Sequence, residues 1–153
     1  MKLKYVSVEK MKYKNDSLAY LLILLGLVVN VVYFVIFYEV NNQFLYSIKI
    51  GISVLYNLIF LLSVFLSAEN IKKYNRKYAV FTCIIGLMQF VRIFAYLSEV
   101  NAAGVFAGNK HMVLVILLII SGVLLILGSI VSIVNSTILK SFVEGKLKLD
   151  SAE

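Results

Sequence analysis

The segment 112–136, MVLVILLIISGVLLILGSIVSIVNS, decides the fold because none of its 25 residues carries a charge. An α-helix rises about 1.5 Å per residue, so about 20 apolar residues are needed to cross roughly 30 Å of hydrocarbon. A transmembrane strand needs only about 10 residues of alternating polarity, whereas this run is continuous and more than twice as long. The segment therefore predicts a membrane-spanning helix.

Three further apolar runs share these properties. Residues 18–38 are uncharged, residues 44–67 are interrupted only by Lys49, and residues 78–97 only by Arg92. The whole chain of 153 residues is 61% hydrophobic, with a mean hydropathy of +0.94. That fraction exceeds the roughly 45–50% of a soluble domain, which would have too little polar surface to cover itself. The sequence predicts an all-α membrane protein with four transmembrane helices.

Basic residues predict the orientation of these helices, because Lys and Arg are enriched in cytoplasmic loops. The N-terminal segment 1–17 has five Lys, the second loop 68–77 has four Lys or Arg, and the tail 137–153 has three Lys. The opposite side has only Lys110. We therefore expect a multi-pass protein of the cell membrane with both termini in the cytoplasm. The short loops make sequential helices antiparallel neighbours, so the transmembrane domain 18–136 is expected to be an up-down-up-down four-helix bundle.

The net charge of +7 has two readings, nucleic acid or a membrane surface. The basic residues lie in short segments beside the apolar runs, so we expect contact with the lipid bilayer and none with nucleic acid. Residues 1–17 either lie on the anionic inner leaflet or form a solvated tail, and the sequence leaves both open. A composition rich in Lys, Asn, Ile and Tyr is typical of an AT-rich bacterial genome.

Two cations interrupt the predicted spans, and an ionisable residue in a bilayer indicates a functional site by default. Lys49 and Arg92 both lie about 8 Å below the outer edge at 1.5 Å per residue. Glu39 and Glu99 flank that level. One hypothesis is a buried polar cluster of these four residues. The alternative, which the shallow depth favours, is that both cations extend along the lipid to the outer interface.

Polar residues recur at three- and four-residue steps on the first three spans, which places them on one face of each helix. In lipid, polar side chains turn toward protein and bond across helices. Asn30, Asn57 and Gln89 are therefore expected to make interhelical contacts, either inside the bundle or with a partner subunit.

The fourth span carries small residues instead. Gly128, Ser132 and Ser136 have a small-xxx-small spacing, which allows two backbones to approach closely. This close-packing face serves either the bundle or a second protein, and packing within the bundle is the simpler interpretation.

The sequence lacks the residue patterns of an enzyme. His111 is the only histidine and Cys83 the only cysteine, so we expect no metal site, no haem and no redox pair. No Gly-rich phosphate loop or hydrolase motif is present. The chain has no proline and no mid-membrane carboxylate, which argues against discontinuous helices and against a proton-coupled transporter.

Three functions fit this pattern. The favoured one is a non-catalytic accessory or small subunit that packs against a larger membrane complex such as a transporter. The alternative is a small oligomeric transporter or channel for a polar or anionic solute, with the two cations at its outer mouth. A third is a lipid- or surface-sensing protein that uses the basic segment 1–17. The expected partner is accordingly another membrane protein or a second copy of the chain.

Overall fold

The computed structural model describes residues 16–38, 48–97 and 109–150, with side chains for 16–38, 51–94, 97 and 109–145. These ranges contain α-helices and turns and no strand. The elements are α1 (Ser17–Tyr38), α2 (Ile48–Ile71), α3 (Arg76–Arg92), a π-helical segment (Ile93–Leu97) that continues α3, and α4 (Lys110–Asp150).

Three of these helices are long and apolar enough to cross a membrane. They are Ser17–Tyr38, Gly51–Ile71 within α2, and Lys110–Gly145 within α4. The helix α3 has 17 residues and is not among them. Large apolar side chains cover the outer surface, as at Leu62, which is 60% exposed. The all-helical prediction is thus confirmed for the described residues, and the three apolar helices indicate a membrane protein.

The four helices form a ring in which sequential helices are neighbours. The helix α4 packs extensively against both α1 and α3, whereas α2 meets the same two helices through smaller interfaces. The N–H of Asp16, before α1, donates to the carbonyl of Lys72, after α2, at 3.0 Å, so α1 and α2 are antiparallel. Ser121 contacts Gly26, and Asn135 contacts Asp16, so α1 and α4 are antiparallel as well.

Glycines allow α4 to approach its neighbours closely. A Cβ added to Gly128 would lie 2.7 Å from Cγ1 of Ile23 on α1. A Cβ added to Gly122 would lie 3.2 Å from the carbonyl oxygen of Gly86 on α3, so two glycines face each other at that crossing. The residues of the predicted close-packing face, Gly128, Ser132 and Ser136, are all buried within the bundle.

Two apolar clusters fill the ends of the bundle interior. The cluster at the end where α1 and α3 begin includes Ile23, Val64 and Leu125. The cluster at the other end includes Phe37 and Leu118. The buried polar residues between them form what we call the polar layer. Its members are Asn30, Ser53, Asn57, Gln89 and Arg92.

The elements differ from the predicted boundaries in three places. The helix α2 continues to Ile71, so the second loop is a turn of only residues 72–75, in which Tyr74 has a φ of 59°. The side chain of Asn75 accepts from the N–H of Lys77 and caps α3. The helix α4 has 41 residues and continues to Asp150, into the segment predicted as a tail. The π-helical segment had no signal in the sequence, which contains no proline near it.

Candidate functional site

Arg92 is the central residue of the polar layer. It ends α3 directly before the π-helical segment, and only 7% of it is exposed. Its Nη1 donates a hydrogen bond of 2.8 Å to Oδ1 of Asn57 on α2. The side chain therefore points into the bundle, and the interpretation that Arg92 extends to the outer interface is wrong. Partners inside the bundle replace the water that the guanidinium would otherwise reach.

Two tyrosine rings flank the guanidinium. The Cζ of Arg92 lies 4.7 Å from the ring centroid of Tyr33 on α1 and 5.0 Å from that of Tyr56 on α2. Such cation–π contacts stabilise a desolvated cation by about 2 kcal/mol. Arg92 thus joins three helices, and it crosses the interior to reach α1, which is not adjacent to α3 in the ring.

The amide of Asn57 is held in the orientation that Arg92 requires. Its Nδ2 donates to the carbonyl of Ser53, one turn earlier on α2, at 2.9 Å. That bond directs Oδ1 toward the guanidinium. Only one edge of Arg92 is occupied in this way, since Nη2 is buried without a hydrogen-bond partner among the described residues.

Further members of the polar layer also lack partners. Within the described part of the chain, both amide atoms of Asn30, both amide atoms of Gln89 and Oγ of Ser53 are buried without a hydrogen bond. An unpaired polar group in an apolar environment costs about 2–7 kcal/mol, depending on the reference state. Because water is scarce in the interior of a membrane protein, these groups need hydrogen-bond partners from a ligand or from a few enclosed waters.

The charge of Arg92 has no acidic counterpart among the described side chains. The predicted cluster also included Glu39 and Glu99, which lie outside the described residues, and Lys49, whose backbone is described within α2 without its side chain. That four-residue cluster therefore stays a prediction. The described contacts of Arg92 are instead an amide and two aromatic rings.

A second polar cluster lies at the opposite end of the bundle. The carboxylate of Asp16 accepts through Oδ1 from the N–H of Ala19 at 3.4 Å and from Nδ2 of Asn135 at 3.2 Å. Burial raises the pKa of Asp16 above its usual value, although both hydrogen bonds act in the opposite direction. Close by, the hydroxyl of Tyr20 donates to Glu69 at 2.8 Å, and the ring of Tyr20 lies 4.9 Å from Nζ of Lys72. This cluster ties the start of α1 to the turn after α2 and to α4.

The sequence indicates which faces of the helices are buried, but it does not indicate which side chains contact each other on those faces. Asn30, Asn57 and Gln89 are fully buried, as is Tyr33, which follows Asn30 on the same stripe. Tyr56 and the contact between Asp16 and Asn135 were missed. Tyr56 has no periodic signal, and a short polar residue such as Asp16 before an apolar run indicates only a helix cap.

No family model, no curated protein and no solved structure matches this chain. Its function must therefore be inferred from the geometry of the polar layer. Across residues 16–38, 48–97 and 109–150, no group of three or more His, Cys, Asp or Glu side chains could hold a metal ion. The chemistry that the layer offers is hydrogen bonding and one positive charge.

Proposed function

We propose that this chain is a four-span protein of the cell membrane that binds a small anionic solute at Arg92 and conducts or transports it. The observation that carries the proposal is the buried guanidinium. Among the described residues its Nη2 has no hydrogen-bond partner and its charge meets no carboxylate. Hydrogen bonds to a charged group contribute about 1.5–3 kcal/mol each, so an anion would gain substantially from the free edge. Tyr33, Tyr56 and Asn57 hold the guanidinium in place before the anion arrives.

The fourth crossing is part of this proposal. The helix α3 and the π-helical segment together cover 22 residues, from Arg76 to Leu97. That number meets the roughly 20 residues needed to span the hydrocarbon. The packing of α3 between α2 and α4 supports it. The twelve basic residues on one side and Lys110 on the other support cytoplasmic termini.

An accessory subunit is the weaker candidate, because its supporting features now have another explanation. The polar stripes and the small residues of α4 would have marked a surface for a partner protein. Asn30, Gln89 and Ser132 are instead fully buried within the bundle, and Gly128 packs against α1. These four residues therefore offer no surface to a partner protein.

The proposal is tested by solute uptake into vesicles that contain the purified protein. We expect saturable uptake of at least one of chloride, acetate or glycolate, and we expect Arg92→Ala to abolish it. Lys140→Ala is the matched control, since it removes a positive charge from the exposed end of α4. Uptake that Arg92→Ala leaves unchanged would refute the proposal. Absence of any uptake, together with a stoichiometric membrane partner after purification in mild detergent, would favour the accessory subunit.

A further inference from the structure

The amides of Asn30 and Gln89 have no explained role in the fold. Both residues are fully buried, and within the described residues neither amide makes a hydrogen bond. An amide presents two N–H donors and one carbonyl acceptor. We propose that these two amides form a second part of the Arg92 site, and that the site binds a small hydroxycarboxylate rather than a simple anion. This inference rests on the proposed function and specifies its ligand.

The helix geometry places both amides on the same side of the guanidinium. Asn30 precedes Tyr33 by three residues on α1, and Gln89 precedes Arg92 by three residues on α3, so each lies about one turn away on the same face. The helices α1 and α3 begin at the same end of the bundle, because Asp16 contacts the turn that leads into α3. Both amides therefore lie one turn closer to that end than Arg92 does.

The contact of Arg92 with Tyr33 shows that these faces of α3 and α1 line the same interior space. The distance of 4.7 Å between the guanidinium and the tyrosine ring means that α3 reaches α1 across the interior at this level. Side chains one turn away on the same two faces point into the same interior. On the side of α4, the hydroxyl of Ser121 is already bonded to the carbonyl of Gly26 at 2.9 Å. Among the described residues, the two amides are thus the polar groups of this level that remain available to a ligand.

The donors and acceptors define the class of ligand. The carboxylate of the ligand would accept from Nη2 of Arg92, and its neighbouring group would meet the amides. The amide oxygens need a donor, which chloride and acetate lack and a hydroxyl supplies. An ammonium group would also donate, but no described carboxylate is available to neutralise it. A neutral hydroxyl beside the carboxylate donates to one amide oxygen and accepts from an amide N–H.

Calorimetric titration of the full-length protein in lipid nanodiscs tests the inference with acetate, glycolate and glycine. These ligands are of similar size and differ in the group next to the carboxylate. We expect glycolate to bind at least tenfold more tightly than acetate or glycine, with no detectable binding of any of them to Arg92→Ala. We expect Asn30→Leu and Gln89→Met to reduce the preference for glycolate over acetate to less than threefold, while acetate binding persists.

Thr82→Val is the matched control. Thr82 is buried on the same face of α3, but its hydroxyl already donates to the carbonyl of Tyr78 at 2.9 Å, so the preference should not change. A preference that survives in folded Asn30→Leu and Gln89→Met would overturn the inference. Equal affinities for acetate and glycolate in the unmodified protein would overturn it without any variant, and would leave the proposed function intact. Failure of acetate, glycolate and glycine to bind in an Arg92-dependent manner would overturn the inference, and failure of chloride as well would overturn the proposed function.

Discussion

Nη1 of Arg92 lies 2.8 Å from Oδ1 of Asn57, and this bond joins α3 to α2 in the interior of the bundle. The helix α2 has the smaller interfaces of the ring, so a buried bond to a cation has a large share in holding it. Removal of Asn57 leaves a buried charged donor without its hydrogen-bond partner.

Asn57→Ala is therefore expected to lower the free energy of unfolding by about 3 kcal/mol, since it leaves a buried charged donor unsatisfied. Chemical denaturation in detergent micelles measures this. Asn70→Ala is the control on the same helix, because Asn70 makes the same side-chain bond to the residue four positions earlier but lies near the turn. Its expected cost is below about 1 kcal/mol. Equal costs for the two variants would contradict the role of the Arg92 contact.

Gly128→Ala is expected to destabilise the protein by about 1–3 kcal/mol, because the new Cβ would lie 2.7 Å from Ile23 and 3.2 Å from the carbonyl oxygen of Ala19. Gly145→Ala on the same helix has nothing within 4 Å of the added Cβ and should stabilise the helix by up to about 1 kcal/mol. Thermal unfolding of both variants provides the comparison. A stabilising effect at both positions would show that α4 does not approach α1 as closely as the structure indicates.

Stability is expected to fall as the pH rises through the titration of Asp16. Burial raises the pKa of Asp16 in the folded protein above 3.8, so the folded state retains a proton that the unfolded chain has released. Since the folded state then binds more protons, the free energy of unfolding decreases from about pH 4 up to the raised pKa and is constant above it. Asp16→Asn should remove this decrease and keep the cap on Ala19.

Asn135→Leu tests the titration of Asp16 by shifting its pKa and not by removing its carboxylate. The hydrogen bond from Asn135 lowers the pKa of Asp16, so its loss should raise that pKa further and extend the decrease to higher pH. Unfolding curves between pH 4 and pH 8 measure both variants against the unmodified protein. An unchanged pH profile in both would show that Asp16 does not titrate differently in the folded state.

The proposed four-span topology predicts opposite accessibility for two engineered cysteines. In a Cys83→Ala background, Lys73→Cys lies in the turn between α2 and α3. Ala107→Cys lies in the third loop of the sequence, between the third and fourth predicted spans. A membrane-impermeant thiol reagent applied to intact cells should label position 107 and leave position 73 unlabelled until the cells are opened. Equal labelling of both positions before lysis would mean that α3 does not cross the membrane.

The sequence predicted the helices and their buried faces because polar groups in a bilayer must find hydrogen-bond partners within the protein. Asn30, Asn57 and Gln89 recur with the period of a helix, and in lipid such a face must turn toward protein. The direction of Arg92 was not predictable, because its long stem reaches either the interface or the interior. The side chain of Arg92 turns inward because Asn57 and Tyr33 lie within its reach. The positions of these two residues depend on the relative rotation of α1, α2 and α3.

Contacts between distant parts of the chain were equally beyond sequence reasoning. Asp16 and Asn135 are separated by 119 residues and meet only because α1 and α4 pack antiparallel. A short polar residue before an apolar run predicts a helix cap, and it carries no information on which other helix lies beside it.

The π-helical segment after Arg92 changes the direction, around the helix axis, in which the next side chains point. Each residue of an α-helix turns about 100°, so a regular continuation of the Gln89 and Arg92 stripe would bring position 96 to the interior. A π-helical turn adds one residue, and the side chain of Leu97 is fully buried. Deletion of one residue from 93–97 would rotate the start of the third loop by roughly that angle relative to Arg92. The buried side chain of Leu97 and the buried cation therefore share one interior because of this single extra residue.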